Sequence, residues 1–84
     1  MTGNLLHRPP QTELLIGKLR EARAAGRALE LPEIMRLGIA QHGARMKEIR
    51  NRGFRVANEL ESVEGVLHSR YYLLFDPERD GGHL

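Results

Sequence analysis

The chain contains no cysteine and no tryptophan, only two tyrosines and two phenylalanines, and no long apolar run. Without cysteine, neither a disulfide framework nor a thiolate-held zinc can support the fold, so stability has to come from packing. A chain of 84 residues holds one domain rather than two, and a domain of this size buries only about 60% of the surface that its unfolded chain exposes. The core is therefore expected to be thin. No stretch approaches the roughly 20 apolar residues that span a bilayer. Met1 to Pro10 lacks the apolar stretch of a secretory leader, and a cytoplasmic location is expected on that basis.

The patterns of catalysis and metal binding are missing as well. His7, His42, His68 and His83 are far apart, with no carboxylate or second histidine at ligand spacing. There is no glycine-rich phosphate loop, no recognisable pair of carboxylates, and no serine set with a histidine in a known arrangement. The expectation is a protein that is not an enzyme and that carries no metal and no cofactor.

What the chain does have is charge, unevenly placed. With 29% charged residues and 40% hydrophobic ones, it has the composition of a globule and not of a disordered polymer. Up to Gly53 ten basic residues face five acidic ones; after Gly53 three basic residues face six acidic ones. The net charge of +2 thus hides a basic first part and an acidic second part.

Arg8-Pro9-Pro10 cannot be helical, and residues 1–10 are expected to form an N-terminal arm. Leu15, Ile16 and Leu19 recur at helical spacing behind Thr12, which suits an N-cap, and Gly26 suits a C-terminal stop; a first helix is expected from Thr12 to Ala25. Arg27 to Leu31 alternates polar and apolar residues, as a short strand does, before Pro32 opens a second helix running to Leu37. Gly38 allows a sharp turn, and a third helical pattern runs from Ala40 to Arg52. On it Met46 and Ile49 form the core side, whereas Gln41, Ala44, Arg45, Glu48 and Arg52 fall away from it.

Phe54, Val56, Asn58 and Leu60 alternate with polar or small residues, which predicts a strand with one buried face. A turn at Ser62 to Val66 and a second strand from Leu67 to Phe75 follow. Residues 76–84 are polar and glycine-rich, and are expected to be a flexible tail. The fold class is α+β: three helices with a helix-turn-helix core, completed by a C-terminal two-stranded β-hairpin, over residues 11–75.

Leu37-Gly38-Ile39 resembles the turn of a helix-turn-helix. The stretch Gly43-Ala44-Arg45-Met46-Lys47-Glu48-Ile49-Arg50-Asn51-Arg52-Gly53-Phe54-Arg55-Val56 resembles the recognition helix and first wing strand of the short winged helix-turn-helix DNA-binding domains encoded by phages and prophages. Ser69-Arg70-Tyr71-Tyr72-Leu73 is similar to the returning wing strand. The resemblance covers about Thr12 to Phe75. It implies sequence-specific binding of double-stranded DNA, as a small transcriptional regulator or accessory factor, with Gln41, His42, Arg45 and Glu48 reaching base edges. It likewise implies that Arg36, Lys47, Arg50, Arg52, Arg55 and Arg70 contact phosphates, which supply affinity without sequence information.

Two of these residues have a plainer reading. Arg45 can pair on the helix surface with Glu48, and His42 lies at the edge of the apolar side, where packing is as good an account as a base contact. The hairpin departs from the family pattern, because Glu59, Glu61 and Glu64 make it acidic. An alternative function is therefore a winged protein-interaction module that uses this acidic wing, and a homodimer is compatible with either function.

Overall fold

The computed structural model describes residues 10–81. The expected arm up to residue 9, with His7 and Arg8, and residues 82–84, with His83, lie outside the described residues. Helix α1 spans Gln11–Ala24, and its Leu15, Ile16, Leu19 and Ala22, spaced to fall on one side, are all buried. Thr12 does not cap it. The cap position is Pro10, without a side-chain hydrogen bond, and Thr12 is a buried residue of the first turn.

A two-residue strand, β1 (Leu29–Glu30), leads directly into helix α2 (Leu31–Arg36). Glu33 accepts from the Glu30 N–H at 3.3 Å and closes a capping box, with Pro32 in the first turn. Gly38, at φ 75°, then reverses the chain. Ile39 drops into the core, and Gln41 takes the left-handed conformation at φ 53° just before helix α3 (His42–Asn51). α3 thus starts two residues later than its periodicity suggests, since Ala40 and Gln41 belong to the turn.

Strands β2 (Arg55–Val63) and β3 (Val66–Phe75) form a long antiparallel hairpin closed by Glu64 and Gly65. Both turn residues have positive φ, 52° and 79°, the conformation of a type I′ turn, whose twist matches that of the strands. The sheet has three strands rather than the expected two, in the order β1-β3-β2. Leu29 pairs with Tyr71 and Glu30 with Arg70, so the short strand is stitched to the hairpin by β3.

Leu15, Ile16, Leu19, Leu29, Ile34, Ile39, Met46, Ile49, Phe54, Val56, Tyr71 and Leu73 form one apolar cluster. On β2 the buried face ends early. Val56 is buried, but Asn58 and Leu60, expected on the same buried face, are exposed because the hairpin runs on past the helices.

Residues 76–81, expected as part of the tail, fold back onto α1. Asp76 is only 1% exposed and accepts from Arg20 Nε at 2.6 Å and Nη2 at 3.1 Å. Its carboxylate also accepts from the Glu78 N–H, while Asp80 accepts from the Asp76 N–H and from Arg23. The Arg20 guanidinium holds Asp76 below the ordinary carboxylate range and is itself held protonated by Asp76 and then Glu78. Polar composition suggested a loose end, whereas three carboxylates meet two arginines of α1 at helical spacing.

Candidate nucleic-acid interface

Each of the first three residues of α1 grips the region around α3. Gln11 donates from Nε2 to the Gly38 carbonyl at 3.4 Å and accepts on Oε1 from the Ala40 N–H at 3.2 Å, spanning the turn between α2 and α3. Thr12 donates its hydroxyl to Glu48 Oε1 at 2.7 Å. Glu13 pairs with Arg52 at 2.7 Å, and this contact raises the Arg52 pKa. One flank of α3 is thereby fastened to α1.

Arg45, expected to be the foremost base reader, lies on that flank. Its Nη1 contacts Glu48 at 3.2 Å and Thr12 Oγ1 at 3.5 Å, and its Nε is buried with no partner among the described residues. Glu48 serves both Thr12 and Arg45. His42 is half-buried with its ring edge-on to Tyr71, 6.2 Å between centroids, which is a packing position. Among the four residues assigned to base contact, Gln41 alone is exposed without an ion pair or a ring contact of its own in the described structure.

The cations assigned to phosphates divide into two groups. Arg36 at the end of α2, Lys47 on α3 and Arg55 at the start of β2 are exposed and make no ion pair among the described residues. The other three are engaged. Arg50 donates twice to the Val56 carbonyl, at 2.9 and 3.2 Å. Arg52 joins Glu13 and Glu78 and lies over the Phe54 ring. Arg70 pairs with Glu61 at 2.9 Å and faces Glu30 at 3.9 Å, on the sheet instead of beside α3.

At about 100° per residue, Ala44 and Asn51 lie about 160° and 140° round the helix from Met46, with Lys47 at about 100° on the flank that α1 leaves open. All three are exposed. The outer face of α3 is therefore Ala44, Lys47 and Asn51, led in by Gln41, with the exposed Glu48 also about 160° from Met46 on the side toward α1. Asn51 and Ala44, neither assigned to base contact from sequence, share this face. An asparagine there offers a donor and an acceptor side by side, and an alanine lets a helix approach closely.

Among the described residues no group of three His, Cys, Asp or Glu side chains is gathered as a metal site, and no helix is long and apolar enough to cross a membrane. Compared with protein-family models, with curated proteins and with solved structures, the chain matches none.

Proposed function

We propose that the chain is a winged helix-turn-helix domain that binds double-stranded DNA, with α3 entering the major groove, as a small phage-type transcriptional regulator or accessory factor. The order α1-β1-α2-α3-β2-β3 and the pairing β1-β3-β2 support this reading. So does the tight turn at Gly38 that joins α2 to α3. The observation that carries it is the outer face of α3. Gln41, Ala44, Lys47 and Asn51 are left uncovered there beside the exposed Glu48, while Arg45 and Arg52 on the flank are tied to Glu48 and to Glu13 of α1.

Base discrimination is assigned to Asn51 and Gln41, each able to bond an adenine edge in two places, with Ala44 against a thymine methyl. Arg36, Lys47 and Arg55 supply phosphate contacts. The test is an unbiased selection of bound duplexes followed by titration at several salt concentrations. A recovered motif rich in A·T pairs is expected, with log affinity falling against log salt at a slope of about −3 for three phosphates. Asn51→Ala should cost about 1–3 kcal/mol of discrimination, whereas Arg45→Ala should leave the motif unchanged. Recovery of no motif, or a motif whose recognition depends on Arg45 and not on Asn51, refutes the assignment.

A further inference from the structure

Beyond the Asn58–Tyr71 pair the hairpin leaves the core. There Leu60, Val63, Val66 and Leu67 are between 42 and 65% exposed. Register puts Leu60 and Leu67 on the face that continues from Val56 and Leu73, whereas Glu59, Glu61 and Val63 share the opposite face with Arg70, His68 and Val66. β2 is the outer strand of the sheet, so one backbone edge is unpaired among the described residues. Along that edge an aliphatic residue on one face alternates with carboxylates on the other. An exposed aliphatic edge of this kind is a ready template for another strand.

The carboxylates decide what kind of strand. Among the described residues Glu59, across from Arg70, makes one hydrogen bond, from the Tyr72 hydroxyl at 3.4 Å, Glu64 has no cationic partner, and Glu61 shares Arg70 with Glu30. A second copy of this chain fits poorly. Two-fold pairings that keep to residues 57–63 set Glu59 against Glu59 or Glu61, or place Leu60 opposite a polar residue, and facing like charges are destabilising. The register centred on Asn58 does match Arg55 with Glu61, but it needs the backbone of Val56, whose carbonyl is held by Arg50. Duplex DNA is repelled by the same carboxylates.

We infer that the outer edge of β2, from Ala57 to Val63, docks an extended polypeptide of a partner protein, one in which aliphatic residues alternate with lysine or arginine. Its aliphatic side chains cover Leu60, its cations meet Glu59 and Glu61, and its backbone completes the ladder that β2 leaves open. This surface is separate from the outer face of α3 and does not depend on DNA binding.

The test is a selection from a library of random nine-residue peptides on the full chain. Recovered peptides should alternate aliphatic and basic residues. In amide NMR spectra they should shift residues 57–63 and leave α3 unmoved, and binding should weaken at least tenfold between low and high salt. The double variant Glu59→Lys, Glu61→Lys, checked as folded by its spectrum, should lose these peptides and select acidic ones instead. Failure to enrich any peptide, enrichment of acidic or neutral peptides by the unaltered chain, or retention of binding by the double variant overturns the inference. So does concentration-dependent dimerisation that Leu60→Lys abolishes, a shift of residues 57–63 on adding duplex, or flotation with phosphatidylcholine vesicles. Loss of duplex binding in Lys47→Ala and Asn51→Ala, with peptide binding intact, separates failure of one surface from failure of the other.

Discussion

Replacing Asp76 tests whether the end of the chain belongs to the folded unit. Its carboxylate is almost fully buried and takes two bonds from Arg20 and one from the Glu78 N–H. Asp76→Ala strands the Arg20 guanidinium, which is 21% exposed, with Glu78 as its one remaining acid. Breaking a buried pair from one side costs about 3–5 kcal/mol. A domain of 84 residues has a total stability of about 4–13 kcal/mol at 0.05–0.15 kcal/mol per residue. The variant should therefore lose from a quarter of its stability to all of it, a fall in Tm of at least about 12 °C at 4–8 °C per kcal/mol.

The same contact sets an acid limb. Arg20 holds the folded Asp76 below its ordinary value of 3.8. The stabilisation is accordingly complete above the unfolded pKa and disappears as pH falls through the lower folded one. Thermal unfolding between pH 6 and pH 2 should show a steep loss beginning near pH 4 in the unaltered protein. Asp76→Asn should start lower and fall less steeply over that range. A loss under about 1 kcal/mol in Asp76→Ala, or parallel acid limbs in the two proteins, would refute the view that residues 76–80 are an integral clasp on α1.

Three further outcomes are expected. Ile34, fully buried on the six-residue α2, should cost about 2–5 kcal/mol on truncation to alanine, read by urea unfolding. Gly53 has φ 100° and its Cβ position lies 3.5 Å from Pro77, so Gly53→Ala has room but meets a backbone penalty of about 1–2 kcal/mol, visible as a lowered Tm without loss of helix signal. Glu78→Ala removes the more exposed partner of Arg20 and should cost under about 1 kcal/mol, which sets the scale for Asp76→Ala in the same assay.

The elements themselves were legible because their signals are local. Leu15, Ile16 and Leu19 fix the inner side of α1, Pro32 and Gly38 bracket α2, and the alternation after Phe54 marks β2. The site was less legible. Periodicity identifies the side of a helix that faces the core and the side directly opposite, but not which of the two intervening flanks a neighbour covers. Arg45 and Arg52, about 100° and 120° from Met46, fell on the flank under α1, while Lys47 at a similar angle on the other side stayed free. Nor does a run such as Asn58 to Leu60 say where the helices stop. A strand keeps its two-residue alternation whether or not anything lies beneath it, and Leu60 reads as core until the extent of the helices is known.

Gln11 has a mechanical consequence. Its one amide, on the first residue of α1, bonds to both ends of the Gly38–Ala40 corner. That amide, with the Thr12 hydroxyl on Glu48, fastens the start of α1 to the turn before α3 and to α3 itself. Gln11→Ala leaves the Gly38 carbonyl and the Ala40 N–H without this partner, so the corner ahead of α3 should loosen, read as faster amide exchange at Ala40.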